Sequence, residues 1–464
     1  MKRPLSTLQW IALVIVGLAL LAIAFVCEEN WRAEHEWNAY VAAAKAKGVK
    51  FEIADFLRKA PIPDEENFAA TPLLKPLYPN GEKYSAELSQ KLRLSATSWK
   101  ITSFVNLIAG KRINLTELEK ATAPLSLAAS LDKQREALDE IEKASHQPYC
   151  YFPTDFSDLM ATHQYETPVL LALGKLFCIR GVQSLSIGNS DSAMQDWETL
   201  MRLAQLETQN PLLLSQLLAT HTRSLATQAL WEGLLDHRWN DRQLLAAQTH
   251  LARVNIFPEV IKSMQMERAM TSQWYTLLAN QPSKFPELGT GFPIPSKPVL
   301  STFAIGSKAF FLQNLLTYNR AFDSDITPHL QYDRVISPSK FPSEDAFRNR
   351  RHPYEIFATI SIAVFPSTII RLTQNQVMLH EAAVACALER YWLTHGTYPA
   401  SLSELPGPIP NDVITGKPFI YERRSDGSFL LYSVGWNEID DHGEVKGNID
   451  RKQGDWVWPT AAKP

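Results

Sequence analysis

Gly181-Val182-Gln183-Ser184-Leu185-Ser186-Ile187-Gly188-Asn189-Ser190-Asp191-Ser192-Ala193-Met194-Gln195-Asp196-Trp197-Glu198-Thr199-Leu200-Met201-Arg202-Leu203-Ala204-Gln205-Leu206 reads as helix, tight turn, helix. Apolar residues return three and four positions apart on either side of Gly188-Asn189-Ser190, the spacing of one face of an α-helix, while the turn residues favour a chain reversal. The same pattern extends outward. From Pro168 to about Val254 it predicts four consecutive helices, with further breaks at Asn210-Pro211 and from His237 to Asn240. Asn240, three residues before Gln243, has the spacing of a helix cap. Long helices joined by such short turns must lie antiparallel, so the expected fold is mainly α, built as stacked α-hairpins or a helical bundle.

Composition points the same way. The chain has 464 residues, room for several domains at roughly 100 to 200 residues each. Its 19 glycines are too few for the many tight turns of a sandwich or barrel, and its 29 prolines gather between the helical stretches. Lys and Arg number 46 against 49 Asp and Glu, a net charge of -3, which supplies no field for a polyanion and excludes nucleic acid as an expected partner. The four cysteines, Cys27, Cys150, Cys178 and Cys386, lack the paired short spacings of a zinc site or a disulfide framework. Cys150 and Cys178 either pair or stay as buried thiols.

The run from Trp10 to Val26 is apolar throughout, and no charge interrupts it between Pro4 and Cys27. A helix of about 20 apolar residues spans a bilayer core. Lys2 and Arg3 before the run, with Glu28 and Glu29 after it, orient the N-terminus inward. The expectation is a single-pass protein of a bacterial inner membrane: residues 1–27 form a cytoplasmic tip and transmembrane helix, with residues 10–27 in the membrane, residues 28–48 a membrane-proximal helix bearing Trp31, Trp37 and Tyr40, and the remainder a periplasmic ectodomain. The competing expectation is a cleaved leader ending at Ala22-Ile23-Ala24. A second apolar run, Ile356 to Ile370, is short and contains Pro366, so it predicts a buried helix.

Residues 49–165 read as a mixed region: extended proline-bearing stretches, a helix from about Ser85, one begun by Thr116 and Glu119 as a capping box, and one from Ser130 to Ser145. Residues 166–371 form the α-hairpin region, with further helices from Phe257 to Leu278 and Ser301 to Phe322 around a proline-rich linker, Asn280 to Pro298. In residues 372–464 a long helix, Leu372 to His395, carries one apolar stripe, with Val377, Val384, Leu388 and Tyr391 beside Met378, Ala385 and Trp392, and ends at Gly396. A one-turn helix capped by Ser401 and Glu404 follows, then strands Phe419 to Arg423 and Ser428 to Val434 around Asp426-Gly427. The predicted C-terminal lobe is thus a small α+β unit with an antiparallel hairpin.

Two resemblances follow from these residues. Gly181 to Leu206 resembles one tetratricopeptide-type unit, without a consensus repeated at a fixed period. Ala387-Leu388-Glu389-Arg390-Tyr391, His395-Gly396-Thr397-Tyr398-Pro399, the strand pair and Leu431-Tyr432-Ser433-Val434-Gly435 with its acidic loop resemble the C-terminal half of the type II secretion major pseudopilin. The same ending is similar to that of uncharacterised, N-terminally anchored bacterial envelope proteins. The pseudopilin resemblance implies a long helix packed on a small antiparallel sheet and a structural calcium in the loop after the last long strand. Asn437, Asp440 and Asp441 offer oxygens within that loop, with Asp450 or Asp455 to close the shell of a hard ion. The alternative is that Asp440-Asp441 caps a turn in solvent while Trp436, Trp456 and Trp458 cover the sheet end. Residues 1–27 hold no prepilin-peptidase site, so filament assembly does not carry over.

Motifs for catalysis are incomplete. His380-Glu381-Ala382-Ala383-Val384 begins like the H-E-x-x-H zinc helix but has Val where the second ligand belongs. Ser130-Leu131-Asp132-Lys133 and Ser337-Pro338-Ser339-Lys340 match S-x-x-K without its companion motifs, and Gly289-Thr290-Gly291 follows no strand. No catalytic residue or organic cofactor is therefore assigned. The expectation is a non-enzymatic, membrane-anchored envelope protein with a protein-interaction ectodomain; the alternative is an envelope hydrolase whose site is assembled from dispersed residues.

Overall fold

The computed structural model describes residues 6–94, 107–154, 156, 164–281, 308–329, 336–341, 355–445 and 451–460. The N-terminal run forms one unbroken helix, α1 (Thr7–Ala46), begun by reciprocal capping bonds between Ser6 and Gln9. Every large apolar side chain from Leu8 to Val26 is exposed, and the most apolar window has mean hydropathy 2.9. This helix is long and apolar enough to cross a membrane. Lys2 and Arg3 lie outside the described residues.

The N-terminal region departs in detail from its expected helices. α2 (Leu77–Lys91) starts a full turn or more before Ser85 and is kinked at Gly81. Thr116 lies inside α3 (Leu115–Thr122), whose cap is Asn114: its Oδ1 accepts from Glu117 N at 3.0 Å. Glu119 instead accepts from Leu127 N at 2.7 Å and so holds the start of α4 (Leu127–Asp132). A turn at Lys133-Gln134 separates α4 from α5 (Arg135–Ala144), where one helix from Ser130 to Ser145 was expected.

Four helices then follow as expected: α6 (Thr167–Ser186), α7 (Ser190–Glu207), α8 (Leu213–Leu235) and α9 (Asp241–Leu251). The Asn240 and Gln243 side chains form a full capping box on α9. α6, α7 and α8 all pack on one another, so the hairpins close on themselves. α10 (Phe257–Asn280) packs on α8 and on α11 (Lys308–Ala321), and α11 also receives the second half of α1. There Asn30 Oδ1 accepts from Ala309 N at 2.8 Å, Glu34 pairs with Lys308 at 2.8 Å, and the Tyr40 hydroxyl donates to Asp323 and accepts from Arg268. Ala33 and Trp37 join the apolar cluster of Trp274, Tyr275, Phe310, Phe311 and Phe357.

The run from Ile356 is a short helix, α12 (Ile356–Ile362), leading directly into α13 (Val364–His395). α13 therefore begins earlier than Leu372, with Pro366 in its first turn, where the missing N–H has no helical partner to lose. α6 and the joined α12–α13 run are also long and apolar enough to span a membrane, but their apolar windows are 72% and 50% buried inside the protein. Instead of one buried stripe, every residue of α13 from Leu372 to Glu389 is buried except the half-buried His380. Helices α8 and α9 cover one side, and the sheet covers another.

That sheet has three antiparallel strands in the order β1 (Ile420–Arg423), β2 (Phe429–Ser433), β3 (Trp456–Val457). Register pairs Ile420 with Tyr432 and Ser433 with Trp456. β3 was not anticipated. Gly435, at φ +67°, lets the chain leave β2 against the β3 approach, since a Cβ there would sit 2.7 Å from Gly454 O. One continuous core runs from Phe68 and Leu138 through α6 to α9 and α13 to Leu431, Trp456 and Trp458. All four cysteines are free thiols, so Cys150 and Cys178 do not pair.

Candidate functional site

The feature with most chemical content lies where α8, α13, the β1–β2 turn and the C-terminal segment meet. His237 follows α8 at the position that closes the helix: its N–H donates to Leu234 O, and Arg238 N–H donates to Gly233 O. This ending needs left-handed backbone and ordinarily takes glycine. His237 adopts it with φ 48°, a conformation that costs an L-residue about 1 kcal/mol. Its ring recovers contacts. Nδ1 lies 2.7 Å from Glu389 Oε1, and the imidazole stacks on Trp392 with centroids 3.8 Å apart and planes 12° from parallel. Glu389 and Trp392 are three residues apart on α13, so one helical face presents both.

Glu389 is only 2% exposed, and burial pushes its carboxyl above the usual range while the His237 contact pulls it back. The Tyr398 hydroxyl donates to Glu389 Oε2 at 3.4 Å and is itself pushed up, first by burial and then by that carboxylate. These groups open on a cavity of about 350 Å³. Trp231, Leu234, Phe429 and Trp458 supply its apolar walls. The Trp231 indole donates to Pro459 O at 2.7 Å, which fixes the C-terminal segment as one wall. Arg424, at the start of the hairpin turn, stands at the rim. Nearby Asp426 is occupied by Ser428, accepting from its N at 2.9 Å and its Oγ at 2.6 Å. Among the described residues, no hydrogen bond engages His237 Nε2 or the Arg424 guanidinium. The site therefore offers an oriented imidazole and an arginine above an aromatic floor.

The H-E pair of α13 serves the fold. Glu381, fully buried, accepts from the Ser433 backbone on β2 and is pushed well up by burial and by the charge of Asp412. His380 points the other way, with Nε2 2.7 Å from Gln376 Nε2 and Nδ1 3.1 Å from Asn411 O. Ser339 N donates to Glu438, and Ser130 is buried in α4. Gly289-Thr290-Gly291 lies outside the described residues, as does most of the linker it belongs to.

The acidic loop closes largely through its own bonds. Asp455, 2% exposed, accepts from Asp441 N at 3.2 Å and Gly443 N at 2.6 Å. Asp440 Oδ1 accepts from His442 N at 2.9 Å and the Tyr432 hydroxyl at 3.0 Å. Asn437 accepts from Ile439 N and donates to Asp441 Oδ2. Burial and the charges of Asp440 and Asp441 hold the Asp455 carboxyl up. Asp450 lies outside the described residues. No group of three or more His, Cys, Asp or Glu among the described residues is placed to hold a metal.

His237, Glu389 and Arg424 were not singled out as site residues by sequence reasoning. The only local sign is a histidine at the helix-closing position ahead of Trp239-Asn240. Comparison with protein-family models, with curated proteins and with solved structures yields no match to this chain.

Proposed function

We propose that this chain is a single-pass protein of the bacterial inner membrane whose ectodomain faces the periplasm and binds partners rather than carrying out a reaction. The observation that supports it most is the division of α1: its first half is bare and apolar, while Asn30, Ala33, Glu34, Trp37 and Tyr40 in the second half are joined to α11 and α10. The pseudopilin-like reading of the C-terminal lobe is carried in shape alone, supported by α13 lying on β2 and β3. Of the motifs weighed for a hydrolase, the H-E pair diverges and Ser130 is buried in α4.

Fractionation of bacteria expressing the full-length chain tests the reading. The expected result is carbonate-resistant recovery with the inner membrane, an intact N-terminus and an ectodomain that protease reaches only after the outer membrane is opened. Soluble full-length chain in the cytosol overturns it.

A further inference from the structure

We infer that the free edge of β1 is a docking site for an extended segment of a partner protein, which joins the sheet as a further strand. This rests on the proposal that the ectodomain binds partners. The sheet order leaves β1 outermost, with its residues half-buried or exposed. Register sets Tyr421 opposite Leu431 and Arg423 opposite Phe429. In an antiparallel ladder, opposed residues alternately exchange both backbone bonds and none. Leu431 O accepts from Trp458 N at 2.9 Å, on the far side of β2, so its pair with Tyr421 exchanges none. Arg424 N donates to Ser428 O at 2.9 Å, which fixes the same alternation from the turn. The backbone N–H and C=O groups of Tyr421 and Arg423 therefore point away from β2. Among the described residues no hydrogen bond engages them, and an extended backbone is the partner that satisfies such a row.

Two further observations define the occupant. The side chains of Tyr421 and Arg423 lean to one face, where the Tyr421 hydroxyl donates to Pro399 O at 2.8 Å and Arg423 Nη1 donates to Tyr398 O at 3.1 Å. A groove of about 460 Å³ lies against Phe419 and Tyr421, with Leu402, Ile409 and Pro418 adding apolar lining. Residues directly opposite across a strand pair share a face, so the incoming residues that bond to Tyr421 and Arg423 set their side chains toward this groove. Apolar residues at alternate positions fit it. Glu422 and Arg423 are exposed, and a two-fold pairing of the edge with itself about either one sets like charges opposite. An unlike strand is therefore favoured over a second copy.

The test uses the full-length chain in lipid nanodiscs and follows the fluorescence anisotropy of a dye-labelled peptide in which valine and threonine alternate. The expected result is saturable binding that empty nanodiscs lack. N-methylation of the valines removes the N–H groups that face β1 and should weaken binding at least about tenfold, whereas N-methylation of the threonines, whose N–H groups face solvent, should change it less than about twofold. Arg423→Pro deletes one outward N–H while sparing the β1–β2 ladder and should also weaken the peptide about tenfold, with Arg423→Ala close to native. Lack of saturation, equal loss from both methylation patterns, or native affinity in a folded Arg423→Pro overturns the assignment. If that variant melts early, the methylation comparison on the native chain decides. In a Cys27→Ser background, oxidised dimers joined through Glu422→Cys assign the edge to a second copy and overturn it as well. Membrane recovery is read separately, so failure of this site leaves the anchored-binder reading standing.

Discussion

Glu207 places a carboxyl where a helical interior ordinarily holds leucine. It is fully buried in α7, with Oε1 accepting from the Thr222 hydroxyl at 3.1 Å and Oε2 without a hydrogen-bond partner, and burial pushes it up to about 8. Arg223 opposes that rise only in part. The native state thus keeps a proton that the unfolded chain releases near pH 4.5. Stability should fall as pH rises between those values, by at most about 1.4 kcal/mol per pH unit. His221, pushed down to about 4, acts oppositely below its ordinary 6.5, and Asp196, pushed up to about 6, has finished by then. Glu381 is pushed up as well and Lys175 is pushed down to about 8, so the share of Glu207 is read as the difference between the native chain and a variant over the interval from pH 6.5 to 8. Urea melts across it should show declining stability in the native chain and a flatter profile in Glu207→Gln; a slope unchanged in the variant contradicts the assignment.

At the scale of elements, caps can be tested directly. Asn114→Ala and Asn240→Ala should each lower stability by about 1 kcal/mol, whereas Thr116→Ala should stay within a few tenths, as thermal melts will report. Local spacing located Asn240, Gly396 and the Ser401–Glu404 turn because each is satisfied within its own few residues. It misassigned Thr116 because Glu119, the partner such a box needs, reaches eight residues forward to Leu127. It also read α13 as one-sided. Nothing local reveals that Gln374, Asn375, Gln376 and Glu381 find enclosed partners on α8, on Val254 and Ile256, on Arg451 and on Ser433. β3 has two residues and so no alternation to detect. The cavity was illegible for a stronger reason. His237, Glu389 and Arg424 belong to three separate elements, and only the packed fold brings them together.

For the whole molecule, the calcium expectation is tested at the acidic loop, whose described residues already bond to one another. Melts of the full-length chain in nanodiscs with calcium or with a chelator should coincide, because Asp455 and Asp440 already hold the loop amides. A fall of several degrees on chelation restores calcium as a structural part. The division of α1 reaches further. Forty residues at 1.5 Å each make a rod about 60 Å long, and attachment to α11 starts at Glu29 and Asn30, within a turn of the apolar stretch. With residues 10–27 in a bilayer, the body has no slack: it sits against the headgroups, turns only as the rod turns, and sweeps no volume in search of a partner. Whatever it meets must come to that surface, and must fit in the shallow layer beside it.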